Sequence, residues 1–495
     1  MSRMLPLSAL VTLALVAPVA SPAPPPATIH PELRAIAGAV RASNLHASDA
    51  ALVGFGTRHT LSTTTSDTRG IGAARRWVAG QFATISKGCG GCLEIVEPAQ
   101  VFAGPRMPKA GAVVKDVVAI QRGTTDPDRV IVITAHLDSR NSNVMDATGD
   151  APGANDDAAG VSALIETVRV LSRHKFPATL VYSADSGEEQ DLYGGQVIAQ
   201  YAVDHGWDVE ADLNNDMVGN DHGGNGVYDP HTIRVFSEGT KTNETPRQAA
   251  YRRFHGGGVD SPSRNVARYM QTLAEQYLDD FHVELIYMTD RWGRGGDQIP
   301  FLEQGYPAVR LSESNEDYDR QHQNLRVVNG VHYGDVISGV DFDYLANVTR
   351  LDAITMASMA MAPPPPPDLG MKGAVTYDTT LFWKPSPGAV RYDAWWRATT
   401  SPQWQHVQRA GDVDSVVLKN VIIDDWFFGV SAVGKGGWES PVEFPGYAGS
   451  FARSPKLGPD GKPVDALYPN LFGEPSGDAI GQPSWRKARG VAGKP

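Results

Sequence analysis

Only two of the 495 residues are cysteine, and they sit together as Cys89-Gly90-Gly91-Cys92. No second pair accompanies them, which argues against a four-cysteine zinc ribbon. No dense run of lysine or arginine appears and the net charge is −12. Both facts argue against a nucleic-acid or anionic-membrane partner, whose affinity would rest on phosphate neutralisation. Past the first twenty residues no segment has the ~20 consecutive apolar residues of a spanning helix. Internal repeats are lacking, so a solenoid is excluded. Neither low hydrophobicity nor excess charge is present (41% and 20%), and wholesale disorder is excluded with them.

What remains is long. Single cores stop growing near about 250–300 residues, so at least two domains are expected. Arg3 and the apolar run Leu5–Ala20, closing in Ser21-Pro22-Ala23, read as a secretory signal peptide over residues 1–23. A periplasmic or secreted chain, free of the membrane after processing, is expected to oxidise Cys89 and Cys92 to a small disulfide.

From residue 117 the pattern alternates. Val117–Gln121, Val130–Thr134, Thr179–Ala184, Val209–Leu213, Glu284–Met288 and Ala308–Leu311 read as strands. Helical spacing appears over 30–45, 70–86, 158–173, 195–205, 262–280, 299–303 and 338–359. This alternation predicts an α/β domain over 30–361: a mostly parallel mixed sheet with helices on both faces. Five prolines, Pro363–Pro367, predict a stiff linker over 362–368. Short strands rich in aromatic and β-branched residues follow, reading as a small all-β sandwich over 369–451. Residues 452–495 read as a disordered tail. Because nothing past about residue 370 joins the constellation described next, a chain ending near Pro365 is expected to keep its turnover.

In an open parallel sheet, ligands bind beyond the carboxyl ends of the strands. Those ends are unusually polar here. They carry His136-Leu137-Asp138, Asn155-Asp156-Asp157, Asp185-Ser186-Gly187-Glu188-Glu189, Asp216-Met217 and, after the last strand, His322. Singly each has an ordinary reading: His136 a loop histidine, Asp156 a helix N-cap. Together, carboxylates and imidazoles at one edge of one sheet need a compensating cation. Two imidazoles with carboxylates suit zinc, with manganese or cobalt as alternatives. Three carboxylates and two histidines exceed one tetrahedral zinc and suit two ions sharing a bridging carboxylate. One of the two adjacent glutamates is then free to act as general base.

The motifs His136-x-Asp138, Gly153-Ala154-Asn155-Asp156-Asp157-Ala158-Ala159-Gly160, Glu188-Glu189, Asp216-Met217 and His322 resemble the co-catalytic di-zinc aminopeptidase family, whose relatives include glutamate carboxypeptidases and the transferrin receptor. The resemblance spans roughly residues 50–360. It implies two Zn2+ per chain, with Asp156 bridging, His136 and Asp216 on one ion, and Glu189 and His322 on the other. It further implies Glu188 as general base, Asp138 orienting His136, and a cis peptide between Asp156 and Asp157. The chemistry implied is hydrolysis of N-terminal residues from peptides by a metal-bridging hydroxide. Where many relatives have Ser-Asp-His, this chain has Gly296-Asp297-Gln298. The preceding Arg291-Trp292-Gly293-Arg294 either lines a specificity pocket or covers the sheet edge. The later strands resemble a fibronectin type III domain. Alternatives on the same scaffold are a carboxypeptidase or dipeptidase, a glutaminyl-cyclase-like acyltransferase with one zinc, and a non-catalytic receptor-like ectodomain.

Overall fold

A computed structural model describes residues 28–104 and 106–453. The segments read as signal peptide and as disordered tail lie outside the described residues, apart from the first two residues of the tail.

The central sheet has eight strands. Its core is four parallel neighbours, in spatial order Ala178–Asp185, Asp126–His136, Asp208–Asn215 and Ala308–Glu313. Antiparallel pairings extend it on both sides, through Val117–Gln121 and Glu94–Val96 at one edge and Thr232–Ser237 at the other. The α/β, mostly parallel reading holds, with antiparallel edges.

Why these strands read as continuously apolar is visible in the packing. Side chains alternate between faces, and both faces are covered. Ile131 and Ile133 enter the larger core, beneath helices that include Ala159–Leu171, Pro262–Tyr277 and Phe342–Met361. Val130 and Val132 enter a second core with helices Tyr193–Asp204 and Gln298–Glu303. A polar residue on either face would be buried.

Boundaries moved where caps decide. The closing helix starts at Phe342 rather than Ser338, because the Asp341 carboxylate accepts from Asp343 N and Tyr344 N and fixes the first turn there. The helical pattern over 30–45 splits at Gly38, giving Pro31–Ala37 and Ala42–Val53. Helix Pro246–His255 and strand Thr232–Ser237 were not anticipated. Cys89 and Cys92 form a disulfide.

Beyond residue 369, two three-stranded antiparallel sheets face each other. Leu381 and Leu418 from one meet Tyr392, Ala394, Phe428 and Val430 from the other in a single small core. This β region is docked on the α/β domain, not tethered at a distance. Pro363, Pro365 and Pro366 are buried. Arg397 reaches across to Asp260 (2.6 Å), which also holds Arg268 (2.9 Å), and all three side chains are at most 1% exposed. Tyr269 Oη donates to Glu439 O, and Arg268 Nε donates to Pro402 O. At the chain's start, the His30 ring stacks on Trp438 with centroids 3.6 Å apart.

Candidate metal centre

The site forms where the four parallel strands end. His136 is the last residue of its strand, and the strand's twist delivers it to the sheet edge. The next segment, Ala154–Ala158, is an irregular turn entering helix Ala159–Leu171. Gly153 opens it at φ 55°, a conformation that favours glycine, and a Cβ there would lie 2.5 Å from that of Ser139. The Asp156–Asp157 peptide is cis.

Buried polar groups hold this turn. Asp335 accepts from Asn155 N (2.9 Å) and Asp156 N (2.7 Å). Arg58, buried beneath, donates to Leu137 O and Gly153 O, both at 2.8 Å, and so ties the strand end to the turn. Asp157 does not face the centre. Its carboxylate accepts from His136 N, Gly160 N and Met217 N, joining three ligand-bearing segments.

The residues singled out in the sequence converge in two overlapping groups. His136, Asp156 and Asp216 present one ligand atom each within 4.8 Å of one another, and so do Asp156, Glu189 and His322. Asp156 belongs to both. Its Oδ1 lies 3.0 Å from His136 Nε2, and its Oδ2 lies 2.9 Å from His322 Nε2. Glu189 Oε1 is 3.0 Å from His322 Nε2. His136 Nε2 and Glu189 Oε1 are buried without a hydrogen-bond partner. Such orphans are costly unless a cation satisfies them. Imidazole nitrogens and carboxylate oxygens are the donors zinc takes, so the residues present fit a zinc centre.

Glu188 lies beside these groups and belongs to neither. Burial pushes its carboxyl well above the usual range; His136 opposes the shift, and Asp216 and Glu189 add to it. Burial alone would raise Asp156 too, but His322 and His136 hold it well below its ordinary value. Two carboxylates of one site, Glu188 and Asp156, thus sit in different electrostatic settings, as proton-transfer and ligand roles require.

Asp138 works differently from the simple expectation. His136 Nδ1 is 3.0 Å from the Asp138 main-chain oxygen but 3.7 Å from its carboxylate. The carboxylate accepts from Thr60 Oγ1 (2.7 Å) and, at 3.3 Å each, from Glu188 N and Glu189 N. It therefore places the glutamate pair as well as flanking the histidine.

Sequence reasoning missed the arginines. Arg310 Nη2 holds Asp216 Oδ2 at 2.7 Å, and Arg140 Nε lies 2.9 Å from Glu189 Oε2. Arg310 had a signal: it is the lone charge in the otherwise apolar Ala308–Leu311, and a buried charge needs a partner. Gln321, beside His322, donates to Asp156 Oδ2 (3.1 Å). Gln298 turns from the site and donates to Asp290 Oδ2 (2.7 Å), which faces Arg310. It braces the arginine that holds Asp216. Arg291, Gly293 and Arg294 do line the cavity over the centre, and Trp292 is 90% exposed at its rim.

Comparison with known proteins is consistent with this geometry. The family model described as Peptidase family M28 matches residues 116–334. A probable zinc metalloprotease of Leptosphaeria maculans is 40% identical over 428 residues, covering 84% of this chain and 96% of the relative. One from Pyricularia oryzae is 40% identical over 423 residues, covering 84% of each. Among solved structures, the LapA aminopeptidase of Legionella pneumophila aligns with a TM-score of 0.48 at 19% identity, covering 72% of this chain and 80% of that one.

Proposed function

The chain belongs to peptidase family M28, and from that premise we propose that it is a zinc-dependent exopeptidase, an aminopeptidase acting on the N-terminal residues of peptides. The observation that carries the two-ion form of this reading is Asp156, whose two carboxylate oxygens each face a different histidine at about the same distance. A carboxylate so placed would suit a bridge between two cations.

His136 and Asp216 would hold one ion and Glu189 and His322 the other, with Asp156 shared. When bound, the ions supply Lewis acidity toward the scissile carbonyl and the attacking water. The chain's own part in the reaction falls to Glu188, which takes the proton from that water and delivers it to the leaving amine. Its raised proton affinity suits a group that must hold a proton between these two steps. Asp138 keeps Glu188 in place through the main-chain amide. Zinc is supported by the relatives' names as zinc metalloproteases. No helix among the described residues is long and apolar enough to cross a membrane. The leader-like first 23 residues and the Cys89–Cys92 disulfide support an exported chain. The β region past residue 369 fits a fibronectin type III-like module.

Three measurements test this. Chelation should abolish turnover and added zinc should restore it. His136→Ala should lower metal per chain, whereas replacing the exposed His282 should not; full metal and full turnover in the His136 variant would remove the assignment. Peptides with blocked N-termini should resist hydrolysis, and their cleavage would exclude the aminopeptidase form.

A further inference from the structure

The cavity above the metal centre, about 540 Å³, is lined by four arginines: Arg106, Arg140, Arg291 and Arg294. Among the described residues, Leu192 is the only aliphatic side chain in its wall, beside one phenol, Tyr318. An apolar substrate side chain would find little to bury against, although small-molecule sites are usually walled by apolar groups. The concentration of arginine is local, because the chain as a whole carries net charge −12.

Arg294 and Arg106 are the least fully paired of these guanidinium groups. Arg294 depends on Glu316, which also holds Arg234 and Arg291, while Arg291 pairs in addition with Asp290 at 3.2 Å. Arg106 donates to the Glu189 main-chain oxygen (3.1 Å), a neutral acceptor. Of the acidic residues in the wall, Asp156, Glu189 and Asp216 face the cation positions and Glu188 is the proposed base. That leaves Asp191 uncommitted.

Arg140 points the same way. Its Nη2 lies 2.6 Å from His322 Nδ1 and its Nε 2.9 Å from Glu189 Oε2. A histidine that holds a cation through Nε2 carries its proton on Nδ1. Arginine has donors only, so the two N–H groups would then oppose each other. Arg140 would not keep that contact beside a cation-holding His322, and it already lines the cavity.

We propose that this cavity selects substrates by a carboxylate beside the scissile bond, received by the Arg294 and Arg291 guanidinium groups with Arg140. Planar forks of N–H donors match a carboxylate in a way that ammonium or apolar groups do not. The carboxylate has two sources: the side chain of an N-terminal Asp or Glu, or the free C-terminus of a very short peptide. The proposal rests on the exopeptidase reading.

The test uses the zinc-loaded full chain. Glutamyl, aspartyl, leucyl and lysyl p-nitroanilides form one arm, and dipeptides with free or amidated C-termini form the other. Acidic p-nitroanilides are expected to exceed leucyl by at least about tenfold in kcat/KM, or free-acid dipeptides to exceed their amides by as much, the scale of one charge-assisted pair. The arm that shows the preference identifies the source. Arg294→Gln should bring the ratio toward parity, chiefly through KM, at unchanged metal per chain, and Arg294→Lys should restore part of it. Calorimetric binding of free L-glutamate over L-leucine, weakened in Arg294→Gln, gives a readout independent of turnover. Equal hydrolysis of leucyl and glutamyl substrates, with amidation also without effect, would overturn this proposal and leave the exopeptidase reading intact. If no substrate turned over, equal binding of the two amino acids would overturn it.

Discussion

Glu188→Gln is expected to keep its metal and lose its turnover. Glutamine preserves the shape and hydrogen-bonding capacity of the side chain but cannot carry a proton between water and leaving group. Positioned acid–base groups contribute about 100- to 10,000-fold, so turnover should fall by at least that range. Binding of a peptide or hydroxamate should survive. Glu189→Gln, one residue on, should behave in the opposite way. Its Oε1 is buried, lacks a hydrogen-bond partner and faces His322 Nε2 at 3.0 Å. An amide there is a poorer zinc ligand, and metal content itself should drop. Metal per chain and turnover, measured side by side, decide the matter. Equal metal loss in both variants would mean that the pair is wrongly assigned, and unchanged turnover in the Glu188 variant would end the hydrolytic mechanism.

The second large effect concerns the β region. A chain ending at Pro365 is expected to lose folded protein, not merely an appendage, which reverses the expectation read from the proline run. The reason is the seam. Asp260 is shielded from water and holds Arg268 and Arg397 together, and the β region supplies Arg397. Asp260 keeps Arg268 when Arg397 is lost, so the cost is that of one charge-assisted hydrogen bond, about 1.5–3 kcal/mol, a sizeable part of the roughly 5–15 kcal/mol that holds a domain folded. Arg397→Met isolates this contact without deleting the region. It should lower the thermal midpoint of the whole chain, with the α/β domain and β region melting in one transition. Two separate transitions, or a soluble truncation with full metal and full turnover, would show that the seam carries little energy.

Much of the architecture could be read from residue order, for physical reasons that differ by element. Val130–Ile133 is apolar at every position because both its faces are buried, as a doubly covered strand requires. The ligand motifs were readable because each follows such a strand. Thr232–Ser237 was not recognised: it follows a glycine-rich stretch and carries Arg234 at its centre, whose charge makes sense only once Glu316 is beside it. Helix Pro246–His255 has a reciprocal cap between Thr245 and Gln248, but no buried side chain, so no apolar stripe announced it. Arg58 and Asp335 escaped for another reason. Their roles are hydrogen bonds to main-chain atoms about 80–180 positions away, and a pattern of side-chain types along the chain holds no record of main-chain acceptors. The same holds for the proline run, whose stiffness is local while its burial depends on the surfaces that close over it.

The stacking of His30 on Trp438 bears on how the protein is made. The first turn of the folded chain finds its partner only about four hundred residues later, and such distant pairings close slowly. A ribosome adding about 5–20 residues per second leaves the amino end waiting tens of seconds for that partner. In vectorial synthesis this contact is therefore among the last to form.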